Sequence, residues 1–214
     1  MTYPGAQASR LLQFDLVVIG CSLGGLAATR TILTNISDDV KLPLVLIQHR
    51  EQGGQGTMDN VLCNMLRRFT RRKVEEVEDK TRLEDGCIYL APADYHVLIE
   101  KEYLALSADD PIAFARPSID VAFDSAARNH GRGVIAVVLT GSSSDGAEGA
   151  ASIERRGGLV IVQDPATAEN GILPLAALAK LKHPKVMLLD DIAPYLSSVT
   201  GHKGGAKSAT RAAR

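Results

Sequence analysis

A serine between glycines, a histidine ending an apolar run and an aspartate in a small-residue loop are the types from which a nucleophilic hydrolase builds a proton relay. Residues 18–25 read VIGCSLGG, and Gly20-Cys21-Ser22-Leu23-Gly24 fits G-x-S-x-G. Between a strand and a helix, such small residues let the chain turn sharply and lift the serine hydroxyl out of the sheet edge. The turn also aims the N–H of the next residue, Leu23, at the place where an oxyanion forms. A glycine-rich turn can instead hold phosphate at a helix N-terminus. The spacing here is neither G-x-G-x-x-G nor that of a P-loop, and the motif alone leaves both readings open.

A serine nucleophile needs a base. His49 ends the run PLVLIQH, at the carboxyl end of the second expected strand, the edge where open α/β sheets build their sites. His130, His183 and His202 fall in helical or turn settings, and His96 opens a hairpin strand. Asp145 lies in the loop of VIAVVLTGSSSDGAEGA, again at a strand's carboxyl end. It can orient a histidine, or it can cap the following helix with Glu148 three residues on completing a capping box. The order Ser22…His49…Asp145 differs from the Ser…Asp…His order of α/β-hydrolases and from chymotrypsin-like and subtilisin-like orders.

These positions require parallel strands. Residues 16–19, 43–48, 134–139, 159–163 and 185–189 are nearly continuous in Val, Ile and Leu, as expected of buried parallel strands. Helical patterns lie near 25–34, 118–129 (with Ser118 as N-cap), 146–156, 174–182 and 191–199. The clearest stripe is Met58, Val61, Leu62, Met65, Leu66 and Phe69. The expected fold is a three-layer α/β/α sandwich with a mostly parallel sheet. An antiparallel hairpin excursion is expected near 86–107, where CIYLAP, HVLIE and YLALS are separated by polar turns. Residues 14–200 then form one domain between an N-terminal tail, 1–13, and a basic, disordered tail, 201–214.

Composition excludes several classes. Of 214 residues, 45% are hydrophobic and 23% charged, enough for a real core. Twenty-four basic against 25 acidic residues and no Trp give no electrostatic footprint for nucleic acid or for an anionic membrane, and no stacking platform for bases. Apolar runs are too short to span a bilayer, and the first residues lack the apolar core of a signal peptide. Three cysteines, Cys21, Cys63 and Cys87, without C-x-x-C spacing suit neither a disulfide framework nor a zinc site and fit a cytoplasmic protein with reduced thiols.

Together VIGCSLGG, LIQH, DGCIYLAPADYH, ARPSIDVAF, VVLTGSSSDGAEG and GGLVIVQDPATAE resemble, in family order over residues 15–199, the catalytic domain of the chemotaxis receptor methylesterases, the CheB family. The resemblance implies Ser22 as nucleophile, His49 as base and Asp145 as the residue orienting it. It implies hydrolysis of glutamate γ-methyl esters on chemoreceptor helices or a related methylated protein, and deamidation of receptor glutamines, with no metal or cofactor. Leu23 N–H and a donor from the 141–144 loop, which contains Ser142, would hold the oxyanion, and Arg116 would meet the acidic receptor surface or the new carboxylate. Asp120 and Asp164 read as structural carboxylates. The pattern departs at Leu23, where a small or hydroxylated residue is usual, at Ser142 in place of methionine, at REQGGQG after the histidine and at Pro174-Leu175 in place of Pro-Arg. Those departures keep two other readings in view, a receptor-binding module with weakened chemistry and an esterase of small molecules. About a dozen residues precede the first strand, too few for a receiver domain, so a stand-alone effector is expected.

Overall fold

The structure, a computed structural model, describes residues 13–49 and 58–200. Both expected tails lie almost wholly outside them. Ten strands and six α-helices follow in chain order among the described residues. They are β1 (Leu16–Cys21), α1 (Gly25–Asn35), β2 (Leu44–Gln48), α2 (Met58–Arg67), β3 (Val74–Glu76), β4 (Thr81–Arg82), β5 (Ile88–Leu90), β6 (His96–Ile99) and β7 (Tyr103–Ser107). Then come α3 (Ile119–His130), β8 (Val134–Val138), α4 (Ala147–Arg155), β9 (Leu159–Gln163), α5 (Ile172–Leu178), β10 (Lys185–Met187) and α6 (Leu189–Thr200).

Seven strands form one sheet in the order β10-β9-β8-β1-β2-β5-β3, and every pairing in it is parallel. Alternation along β1 explains the layers. Leu16 and Val18 enter a core with Phe123, Ala150 and Ile153, under α3 and α4. Val17 and Ile19 enter a second core with Ile32, Leu66 and Leu196, under α1, α2 and α6. Both faces are covered, so the strands are apolar throughout rather than alternating with polar residues.

The antiparallel excursion is narrower than expected. His96–Ile99 pairs with Tyr103–Ser107, and Thr81–Arg82 joins the outer side of β7. Ile88–Leu90 of CIYLAP, by contrast, is a parallel strand of the main sheet, between β2 and β3. Ile88, Tyr89 and Leu90 are fully buried, because this short strand is covered on both faces like its neighbours. The three-residue β3 was not visible in the sequence. The run at 185–189 is likewise corrected: β10 is an edge strand with Lys185 and Val186 exposed, and a lysine there discourages edge pairing. In α2, Leu66 is buried but Val61 and Met65 are exposed, so only part of the predicted stripe faces the core. No described helix is long and apolar enough to cross a membrane.

The chain leaves β1 for β2 on one side of the sheet and later returns to β8 on the other. The strand order therefore reverses at β1, and a crevice opens at the carboxyl ends there. All three candidate side chains belong to that edge.

Candidate active site

β1 pairs with β2 up to Cys21 opposite Gln48. Ser22 and His49 are the next residues on their strands, and His49 N donates to the Cys21 carbonyl at 3.1 Å. On the other flank, Ser22 N donates to Thr140 O at 3.0 Å. Ser22 thus lies between the ends of β2 and β8. Gly141 closes in behind it: a Cβ there would lie 2.9 Å from Ser22 Cβ. Among the described residues the Ser22 hydroxyl has no hydrogen-bond partner, His49 included.

The glycine after Leu23 has a specific job. Gly24 takes φ +78°, and a Cβ on it would meet Glu169 Cβ at 2.8 Å. Left-handed backbone costs an L-residue roughly 1–2 kcal/mol, before the clash. Gly24→Ala is expected to lower the thermal midpoint by about 2–8 °C in scanning calorimetry; an unchanged midpoint would show that this turn tolerates a side chain.

His49 and Asp145 meet directly. His49 Nε2 lies 2.7 Å from Asp145 Oδ2, with the Asp145 side chain fully buried. An ionised carboxylate only accepts, so Nε2 carries the proton and Nδ1 keeps its lone pair. Ser118 Oγ donates to Asp145 Oδ1 at 2.7 Å, Ile119 N to Oδ2 at 2.7 Å and Asp120 N to Oδ1 at 3.1 Å. Burial alone would push the Asp145 carboxyl up, but the bonds from His49, Ser118, Ile119 N and Asp120 N together hold it below its ordinary value.

The capping reading of Asp145 therefore needs correction. Asp145 caps α3, not the helix that follows it. The chain bends at Gly146, the N-cap of α4, with φ +113° and no side-chain cap, and this turn carries the carboxylate away. Glu148 pairs instead with Lys180 at 2.6 Å. α4 is served from across the interface, since Gly149 N donates to Asp120 Oδ1 at 2.7 Å. Each helix start thus lends a carboxylate to the other. Burial and the nearby Asp145 charge push Asp120 up to about 6, against the bonds from Gly149 N and Gly146 N.

Of the other candidates, Leu23 is 52% exposed, and its N–H has no partner among the described residues. Ser142 is exposed. The neighbouring Gly141 N–H is already donated to Asn170 O at 2.9 Å. Arg116 donates through Nη1 to Ala108 O and Asp109 O at 3.1 and 3.2 Å, so this nitrogen fastens the 108–116 loop. Ser118 caps α3 as expected, accepting from Val121 N. Asp164 caps a short turn through Ala166 N, and His130 bonds Glu100 O. Cys21, next to the serine, is no rival nucleophile, because burial pushes its thiol up to about 12 despite a bond to Thr29. A groove of about 510 Å³ opens beside Ser22, lined by Leu23, Leu26, Arg30, Met65, Phe69 and Glu169. His96, at the start of β6, is buried and accepts from Ser118 N; in sequence its only signal is a strand-start position, which assigns it no role.

Residues 17–196 match the family described as CheB methylesterase. A relative in Leptospira interrogans, provisionally named protein-glutamate methylesterase/protein-glutamine glutaminase, is 38% identical over 186 residues, covering 85% of this chain and 93% of that one. The protein-glutamate methylesterase/protein-glutamine glutaminase of Maricaulis maris is 33% identical over 195 residues, which cover 89% of this chain but 47% of that longer protein. The crystal structure of the Thermotoga maritima CheB methylesterase catalytic domain superposes with a TM-score of 0.81 at 29% identity, covering 87% of this chain and 99% of that one. The seven-stranded parallel sheet, the glycine-flanked serine turn and these matches agree: the chain belongs to the CheB methylesterase family.

Proposed function

We propose that this protein is a protein-glutamate methylesterase in which Ser22 attacks, His49 moves the proton and Asp145 orients the imidazole. The observation that carries this reading is the 2.7 Å bond from His49 Nε2 to a buried, ionised Asp145, at the strand end beside Ser22. In the reaction, Ser22 Oγ adds to the ester carbonyl as its proton passes to His49 Nδ1. The imidazolium so formed is stabilised by Asp145. The tetrahedral oxyanion takes the free Leu23 N–H, at the positive end of α1. The C–OCH₃ bond then breaks, and methoxide leaves as methanol with the proton from His49. Water, deprotonated by the same nitrogen, cleaves the acyl-enzyme to glutamate and regenerates Ser22. With a glutamine carboxamide, ammonia leaves in place of methanol. No step calls for a metal or cofactor.

The reading requires Ser22 Oγ to reach His49 Nδ1 once substrate is seated, since catalytic hydrogen bonds commonly tighten only in the complex. The groove beside Ser22 suits a long side chain ending in a methyl ester: Leu23, Leu26, Met65 and Phe69 give it apolar walls. The names of the relatives point to methylated glutamates of a protein as substrate, and the resemblance to the chemotaxis receptor methylesterases makes chemoreceptor helices the substrate we favour.

The deciding measurement is methanol release from a methylated receptor fragment, set beside hydrolysis of a small soluble ester. Release from the fragment with a kcat/KM at least about a hundredfold above that for the soluble ester (about 2.7 kcal/mol) supports the proposal. Turnover of the soluble ester alone would make this a small-molecule esterase. Binding of the fragment without release would make it a docking module.

A further inference from the structure

We infer that His96 is a positioning residue for Asp145, acting through the backbone of Ser118; its catalytic consequence rests on the methylesterase reading above. His96 is 1% exposed and Ser118 is fully buried. Ser118 N donates to His96 Nδ1 at 3.1 Å, and His96 Nε2 lies 3.1 Å from Asp110 O. A ring nitrogen that accepts an N–H carries no proton, so the proton sits on Nε2 and is donated to the Asp110 carbonyl. Both nitrogens are engaged, and the ring is a neutral rod between the 108–116 loop and the start of α3.

The direction of this rod matters to the site. Pro117 has no N–H, so Ser118 supplies the first backbone donor of the segment. His96 takes that donor, so it is not spent on Asp145. Ser118 Oγ is then left to face Asp145 Oδ1, and the next two amides, of Ile119 and Asp120, converge on the same carboxylate. Without an acceptor at the Nδ1 position, the buried Ser118 N–H is left unpaired, and relief comes by shifting the turn that holds three of Asp145's four donors. The fourth is His49. A displacement of about 1 Å at such a site can cost about a hundredfold in rate, and it falls on kcat because the imidazole must be aimed while substrate binding is unaffected.

Two variants separate the two ring nitrogens. His96→Asn keeps an oxygen where Nδ1 stood and loses the bond to Asp110. His96→Gln restores a donor toward Asp110 and leaves Ser118 N–H without an acceptor. On a methylated receptor fragment, His96→Gln is expected to lose about ten- to a hundredfold in kcat, with KM within about twofold. His96→Asn is expected to stay within about threefold of wild-type kcat. A second readout needs no turnover. In protein labelled with ¹⁵N-histidine, the His49 Nε2–H resonance persists in His96→Asn and weakens or moves in His96→Gln. Wild-type kcat with an unmoved resonance in His96→Gln would overturn the inference. So would equal losses in both variants that merely track their thermal midpoints. If wild type released no methanol while the resonances still divided the variants, the methylesterase reading would fall and the positioning role would stand.

Discussion

Ser22→Ala is expected to abolish methanol release from a methylated protein substrate and to leave the fold intact. The expected loss in kcat is roughly 10⁴- to 10⁶-fold, the range for deleting a serine nucleophile whose oxyanion donors and binding groove remain. Those survive here, because Leu23 N–H is a backbone group and Gly141 packs against Ser22 Cβ, an atom alanine keeps. Stability is expected to change by no more than about 0.5 kcal/mol, since the half-buried hydroxyl has no hydrogen-bond partner among the described residues. The adjacent thiol offers no rescue, as Cys21 is buried and pushed up to about 12. Methanol assay and thermal melting on the same preparations test both halves. Undiminished release would remove Ser22 from the mechanism, and a collapsed melting curve would give the hydroxyl a structural role.

The layout of this edge was legible because its signals are local or periodic. Five apolar runs read as parallel strands and all five are, four of them buried on both faces, and the order of motifs put Ser22, His49 and Asp145 at strand ends. Register then did the rest, since Cys21 opposite Gln48 makes neighbours of the residues that follow. Signals that depend on what meets across space were not legible. Ile88–Leu90 is too short for periodicity to separate a main-sheet strand from a hairpin arm, although its unbroken burial matches the other parallel strands. Asp145 carries a capping signature with Glu148 that is locally valid, yet the left-handed bend at Gly146 redirects it to α3. His96 and Ser118 are twenty-two residues apart, and no spacing rule joins a strand start to a helix N-cap. Only the family resemblance assigns Arg116 to the substrate, since no local signal separates that role from a surface arginine before a helix; in the structure its Nη1 bonds the carbonyls of its own loop.

The reciprocal caps explain how a buried carboxylate stays charged beside another. Asp145 and Asp120 are close enough for each to oppose the other's ionisation, and burial disfavours both. The donors decide the outcome. Asp145 gathers two backbone amides, a hydroxyl and an imidazole, whereas Asp120 has only the amides at the start of α4. Acidification therefore protonates Asp120 first, near 6, and leaves the partner of His49 ionised. The group that must be charged in the proposed mechanism is the one with more donors.

Asp145→Asn accordingly strikes both chemistry and stability. An amide presents one acceptor oxygen where the carboxylate offers two, and its NH₂ cannot receive from His49 Nε2–H. The imidazole is driven toward the tautomer with its proton on Nδ1, the nitrogen the serine needs free. A fall in kcat of about 10⁴-fold follows, as for loss of the orienting carboxylate in other triads. With the NH₂ at the Oδ2 position, Ile119 N–H loses its acceptor, at about 1–3 kcal/mol when buried, so unfolding free energy is expected to drop by about 1–3 kcal/mol. The pH dependence gives a separate check. Asp145 binds protons less readily in the folded chain than at its ordinary 3.8, so its stabilisation is fully present above 3.8 and is lost as pH falls below it. Asp120 works in the opposite sense: folded protein holds an extra proton between 3.8 and about 6, so this group costs stability as pH rises through that window. In Asp145→Asn the loss below 3.8 is expected to flatten. The Asp120 window is expected to narrow from its upper end, because the neighbouring charge that helped push it up is gone. Denaturant unfolding across acid pH measures both slopes. Wild-type slopes in Asp145→Asn would show that Asp145 is not ionised in the folded protein, and His49 would then have no anion to hold its proton.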